Sequence, residues 1–497
     1  MPLPESGDRR VERGDPRYAT LVRGFNLRWV GHPRHVELCY TSREVLQAVQ
    51  GALDLDRSAH ITVRGGGHCY EDFVSSNEDG VIIDLTPMHA VYRDAASGAY
   101  IIEGGATLWD VYTQLYRQYG VTLPGGSCYS VGVGGHVTGG GYGLLSRLHG
   151  LTVDYLTAVE VVHVAEDYRA TLIRVGKEST RAEERDLFWA HLGGGGGNFG
   201  IVTRFWFENL PSAPSQAYLA THAWNWEGMK FPAFARLVRN YGQFLEAHSQ
   251  VGSPYQGLFT LLHLTQSSAG QLVLTAQYVG SEPARLDDFL GSIAAGLPAP
   301  THQTVPVGYH HLGPPTTAVQ QLPWLLATQT LNGSGPNRRF KNKSAYMQAA
   351  FPERQIDVMW ESLAHPRTPN SQALLQVDSY GCQVNAVPPN ATAVPQRSSV
   401  MKLQYQTYWN DPSEDADNLS WIRKFYTDMY GYQGPVPDGI VDGCYVNYPD
   451  VDLVDWPQLY YKDNYPRLQA VKSQWDPHNI FHHRQSVRPI NSAPASG

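Results

Sequence analysis

The sequence predicts an α+β protein in which one part is an antiparallel sheet with helices on one face, and three observations carry that prediction. Through residue 210, short β-branched runs alternate with helical ones, and several runs end in glycine turns. At Pro211, Ser212, Pro214 and Ser215 the composition changes as it does at a linker. Beyond the linker, amphipathic helices alternate with strands to about residue 440, and 441–497 returns to compact, aromatic-rich sequence. A chain of 497 residues is long enough for two or three packed units. Their expected bounds are 1–210, 211–440 and 441–497.

In order, HVELCY (35–40) reads as a strand, and SREVLQAVQGAL (42–53) has helical apolar spacing with Ser42 able to cap. ITVRGGGH (61–68) is a strand running into a glycine turn. VIIDLT (81–86) and AYIIEGGAT (99–107) are further strands, followed by a helix from Leu108 to Tyr119. DYLTAVEVVHVA (154–165) is one strand or a pair, 186–192 is a helix, and NFGIVTRFWFENL (198–210) is again a strand. In the second unit FPAFARLVRNYGQFLEAH (231–248) is an amphipathic helix, while QLVLTAQYVG (271–280) and ALLQVDSYG (373–381) are strands.

Composition excludes several functions. With 42% hydrophobic and 17% charged residues the chain is globular, and its net charge of −8 leaves no basic footprint for nucleic acid. The N-terminus is polar, and no run approaches the ~20 apolar residues of a membrane span, so a cytoplasmic location is expected. Five scattered cysteines (Cys39, Cys69, Cys128, Cys382 and Cys444) argue against a disulfide framework and leave a thiol for other chemistry. The pairs His310–His311 and His482–His483 lack the spacing and the carboxylate of a metal site, so none is expected. No G-x-S-x-G elbow occurs.

Three glycine clusters stand beside strands: RGGGH (64–68), GGSCYSVGVGGHVTGGGYG (125–143) and GGGGGNFG (193–200). Adjacent glycines let backbone N–H groups approach an anion with no Cβ in the way. The middle cluster holds nine glycines in nineteen residues, too many for a stable strand or helix, so it is expected to wrap a ligand as irregular chain. In the middle cluster, counting on from Gly132 and Gly134 reaches Val137, so the dinucleotide fingerprint G-x-G-x-x-G does not form there, and no P-loop is present.

RGGGHCYEDF, PGGSCYSVGVGGHVTGGGYGLLSRLHGLTVD, DLFWAHLGGGGGNFGIVT, YVNYPD and DPHNIFHH, in that order, resemble the berberine bridge enzyme family. These are FAD-linked oxidases on the p-cresol methylhydroxylase fold, and the likeness, running from about residue 15 to 490, is nearest to actinomycete members that oxidise hydroxyls on antibiotic scaffolds. The resemblance implies an FAD-binding domain of that fold joined to the antiparallel-sheet substrate domain. It implies FAD bonded twice, from a ring nitrogen of His68 to the flavin 8α-methyl and from Cys128 to flavin C6. Backbone amides of the Cys128 loop are expected to give its thiol thiolate character, and Cys69 is read as packing. The remaining FAD contacts are expected at Arg64, Gly65, Gly66, Gly67, Gly126, Val131, Gly132, Gly135, His136, Gly139, Gly140, Gly141, Gly200, Ile201, Val202 and Asn447.

For catalysis the resemblance points to Tyr448 as base, with Tyr380 and Tyr142 as further members of a tyrosine cluster. A phenol of pKa ~10 must be lowered to act near neutral pH, and Tyr380 is expected to help lower it. Val131 stands where the family gates oxygen, which implies reoxidation by O2 with release of H2O2. The implied substrate is a small molecule, a sugar or polyketide alcohol, handled by a monomer or homodimer. Two other readings stand beside this one: an oxidative cyclase forming a C–C or C–O bond, and a non-catalytic protein that sequesters an aromatic drug.

Overall fold

The computed structural model describes residues 9–304 and 317–490. The His310–His311 pair lies outside them. The fold is α+β, built among the described residues on three sheets. In the first, Arg10–Glu12, His35–Leu38, Val81–Asp84 and Ile61–Arg64 lie side by side in that order, the last three parallel. In the second, Val91–Arg93, Tyr100–Glu103, Ile201–Phe207, Leu156–Val164 and Ala170–Gly176 are antiparallel. The third is antiparallel with seven strands, in the order Gln320–Pro323, Gln216–Asn225, Gln271–Tyr278, Leu258–Thr265, Ala373–Ser379, Met401–Trp409 and Arg339–Met347. Helices Phe231–Ala247, Ala284–Ala294, Glu353–Ala364 and Asp415–Tyr430 accompany this sheet.

Local chemistry explains the helix Leu108–Tyr119. Thr107 accepts from the Asp110 N–H while Asp110 accepts from the Thr107 N–H, a reciprocal cap, and Gly120 ends the helix at φ +65°. Its first amides also have partners, for Leu108 and Trp109 donate to the carbonyls of Val131 and Tyr129. The loop carrying Cys128 is thereby seated on a helix end.

One expectation is overturned. VGGHVT forms the helix Val133–Thr138, where irregular chain was expected. Glycine costs about 1 kcal/mol per position in a helix. Val133 and Val137, four apart on one face, are both fully buried, and that burial outweighs the cost. The helix predicted at 186–192 runs from Ala182 to Ala190, a turn earlier, with Glu183 and Glu184 in its first turn where carboxylates favour the helix dipole. Residues 154–165 make one strand, Leu156–Val164, after a 3₁₀ turn at Thr152–Tyr155.

The last segment packs back on the third glycine cluster. Buried Lys472 donates to the carbonyls of Asn198 and Phe481, both at 2.6 Å, and pairs with Asp476 at 2.7 Å. Tyr461 donates to the Gly194 carbonyl at 2.9 Å. All five cysteines are free thiols. Among the described residues no helix is long and apolar enough to cross a membrane.

Candidate active site

The first two glycine clusters touch, and this contact builds the site. A Cβ on Gly66 would lie 2.4 Å from the Gly132 nitrogen, and one on Gly132 would lie 2.2 Å from the Gly66 nitrogen. Only two glycines allow such a backbone approach. His68 and Cys128, each within four residues of the contact, therefore border one cavity of about 340 Å³. Its wall combines the turn 65–67, residues 126–136, the run 195–200, the sheet face of Gln376, Asp378, Lys402 and Gln404, and residues 445–449.

The expected site residues separate into two groups. Arg64, Gly65, Gly66, Gly67, His68, Gly126, Cys128, Val131, Gly132, Gly135, His136, Tyr142, Gly200, Val202, Asn447 and Tyr448 lie on the wall. Gly139, Gly140, Gly141, Ile201 and Tyr380 do not. Gly139 packs against the Asn447 side chain, and Ile201 is buried in the core under the first sheet. Tyr380 is fully buried, donates to the Gln396 carbonyl at 3.2 Å and sits 5.1 Å from the Tyr142 ring, so it meets Tyr142 and not Tyr448.

His68 is half-buried, with the Phe25 ring stacked on it at 4.1 Å and Ser130 Oγ 2.9 Å from its Nε2. Burial lowers its imidazole to about 4, so the ring is neutral near pH 7. Cys128 departs from expectation, because burial pushes its thiol up to about 11 despite a hydrogen bond from Ser127 and the nearby Lys402 cation. These contacts, with a backbone hydrogen bond from Gly333, do not offset the loss of water. Cys69, read as packing, also borders the cavity, and its thiol is pushed up to about 12.

The structure adds a constellation that sequence reasoning missed. Buried Lys402 directs its Nζ to Asp378 at 2.6 Å and to Tyr448 Oη at 3.0 Å, and it lies over the Tyr448, Tyr142 and Tyr445 rings at 4.4, 5.0 and 5.6 Å. Tyr70 stacks on Tyr448 at 5.3 Å and accepts from Gln404 Nε2 at 3.0 Å. Burial, with Asp378 next, raises the Tyr448 phenol well above its ordinary value, against the expected lowering. Asp378 adds to burial, because its carboxylate charge disfavours a phenolate nearby. The alternation in MKLQYQTYW (401–409), polar at 402, 404 and 406, is the signal that could have revealed this face.

The residues fit an FAD. Three glycine stretches leave the wall without Cβ atoms, and a Cβ on Gly135 would meet nothing within 4 Å. Among the described residues, Arg64 and Lys402 are the only Lys or Arg on the wall, and Arg64 is tied to the Leu21 carbonyl at 2.6 Å. Cationic side chains are therefore few on this wall, and the glycine stretches leave its backbone amides open to a phosphate.

Comparison with known proteins agrees. The family model described as "FAD binding domain" matches residues 33–167, and "Berberine and berberine like" matches residues 444–488. The aclacinomycin-N/aclacinomycin-A oxidase of Streptomyces galilaeus is 40% identical, across 97% of this chain and 90% of that protein. The hexose oxidase of Chondrus crispus is 37% identical, across 96% and 94%. The crystal structure of CrmK, a flavoenzyme involved in shunt product recycling in caerulomycin biosynthesis, superposes with a TM-score of 0.90 at 40% identity, covering 97% of this chain and 99% of that one.

Proposed function

Because this chain belongs to the berberine bridge enzyme-like family and is an FAD-dependent oxidase, we propose that it oxidises a hydroxyl of a sugar or a secondary metabolite with FAD bonded at both His68 and Cys128. The observation that carries this reading is the Gly66–Gly132 contact, which puts the imidazole and the thiol on the wall of one cavity that Lys402 and Tyr448 also line. Relatives named for an aclacinomycin and for a hexose support the substrate class.

FAD in this cavity would be held by His68, Cys128 and the amides of the three glycine clusters, and when bound it would supply a hydride acceptor that O2 can reoxidise with release of H2O2. Tyr448 Oη takes the hydroxyl proton. Lys402 Nζ, already donating to that oxygen, stabilises the phenolate, and Asp378 holds the ammonium in place. Tyr70 and Tyr445, with ring centroids 5.3 and 5.0 Å from that of Tyr448, fix its plane and exclude water.

Acid precipitation tests the attachment. Wild-type protein and Cys128→Ala are expected to stay yellow, and His68→Ala/Cys128→Ala is expected to leave all its FAD in the supernatant. Free FAD from denatured wild type overturns the reading. Val131, on the wall, is the expected oxygen gate. Val131→Ile is expected to slow reoxidation of reduced enzyme while leaving anaerobic reduction by substrate nearly unchanged, and aerobic and anaerobic stopped-flow traces separate the two. Equal slowing of both removes the gate.

A further inference from the structure

The Cys128 loop is gripped by a segment some two hundred positions later. Tyr129 Oη donates to Thr328 Oγ1 at 2.6 Å, since the hydroxyl hydrogen of Thr328 goes to the Leu325 carbonyl at 2.7 Å. The Tyr129 N–H donates to Asn332 Oδ1 at 3.0 Å, and the same oxygen accepts the Ser334 N–H at 3.0 Å. Ser334 Oγ accepts twice from Ser130, from its N–H at 3.0 Å and its hydroxyl at 2.9 Å. With the single hydroxyl hydrogen of Ser130 directed at Ser334, its oxygen is the acceptor at His68 Nε2, 2.9 Å away. The proton of His68 thus sits on Nε2 and the lone pair on Nδ1, while Phe25 stacked at 4.1 Å fixes the ring plane.

We propose that Ser130 and Ser334 are positioning residues for covalent loading of the cofactor, holding His68 as the tautomer with a nucleophilic Nδ1 and receiving the proton that leaves Nε2. The proposal rests on the reading that FAD is bonded to His68. In that step Nδ1 forms a bond to the flavin 8α carbon, and one C–H bond there and the Nε2–H bond break. The electron pair of the C–H bond stays in the ring, which is thereby reduced by two electrons. The Nε2 proton passes to Ser130 as Ser130 passes its own to Ser334 Oγ, which releases its hydroxyl proton to solvent at this exposed contact. The proton of the C–H bond also leaves to solvent. Dioxygen then takes two electrons and two protons as H2O2, and the flavin returns to its oxidised state. Asn332 acts alongside, setting the height of residues 129–130 against 334.

Placing the test in Cys128→Ala leaves His68 as the only attachment point. Holoenzyme of that variant is expected to retain its flavin through acid precipitation. With Ser130→Ala added, the attached fraction is expected to fall about tenfold, because one ordering hydrogen bond and the proton acceptor are lost together. The flavin then appears as intact FAD in the acid supernatant at about one per chain, which shows that the variant folds and binds the cofactor. Ser130→Thr keeps the hydroxyl and is expected to restore attachment, and Ser334→Ala, which leaves Ser130 in place, is expected to give a smaller loss. Attachment in Cys128→Ala/Ser130→Ala and Cys128→Ala/Ser334→Ala equal to that of Cys128→Ala overturns the relay. Release of all flavin by Cys128→Ala alone removes the His68 bond itself, and the relay with it.

Discussion

Replacing Tyr448 with Phe is expected to slow flavin reduction by substrate roughly 100- to 10,000-fold, about 3 to 5 kcal/mol, with folding and flavin content retained. The change removes one oxygen and keeps the ring that packs between Tyr70 and Tyr445. It takes away the oxygen proposed to receive the substrate's proton and leaves Lys402 paired with Asp378. The pH profile sharpens the test. Burial raises the Tyr448 phenol, so its phenolate is scarce near neutrality, and the rate is expected to climb as pH rises into the alkaline range. Lys402→Met removes the cation that stabilises the phenolate, so the climb is expected to move to still higher pH. The two substitutions act on one proton transfer and are not expected to add. Tyr380→Phe is expected to change little, since its hydroxyl ends on the Gln396 carbonyl and not on Tyr448. Anaerobic stopped-flow reduction against pH, with Tyr448→Phe as fast as wild type, would place the base elsewhere.

The second large effect is on stability. Lys341, buried, pairs with Glu71, with Asp450 at 2.6 Å and with Asp452 at 3.5 Å, and Lys343 pairs with Asp450 at 2.7 Å and Asp452 at 3.0 Å. Burial works against the Lys341 charge, yet Asp450 and Glu71 hold its pKa above the ordinary value. Lys341→Met leaves the Glu71 carboxylate buried without its lysine, and removing one partner of such a pair costs about 3 to 5 kcal/mol. A fall in the urea midpoint is expected. Lys424→Ala, which breaks the exposed pair with Asp428, is expected to cost no more than about 0.5 kcal/mol. A Lys341→Met midpoint that moves no more than that of Lys424→Ala contradicts the network's role. Glu71 follows His68 by three residues and Asp450 follows Tyr448 by two, so the network also ties the histidine turn to the tyrosine loop.

What was legible in the sequence was local. Helix Leu108–Tyr119 could be delimited because Thr107, Asp110 and Gly120 mark its ends within a few residues. The glycine runs flanking His68 and Cys128 are also local, and they place both side chains at a turn before any partner is known. Lys402 was hidden for the opposite reason. It stands in a strand buried on both faces, between Met401 and Leu403, and its partners Asp378 and Tyr448 come from other parts of the chain. Tyr380 misled because a tyrosine near an expected site says nothing about the direction of its hydroxyl. The helix Val133–Thr138 misled because glycine propensity was weighed without the burial of Val133 and Val137.

The cavity wall draws on residues from both ends of the chain, and the Val451 N–H donating to Glu71 joins positions 380 apart. Closing so long a loop carries an entropic cost that only late, cooperative docking repays. A ribosome-bound chain that has made the His68 turn and the Cys128 loop still lacks Asn447, Tyr448 and the Lys472 anchor. Yellow colour that survives acid would therefore act as a timestamp, marking molecules whose synthesis and assembly had both finished.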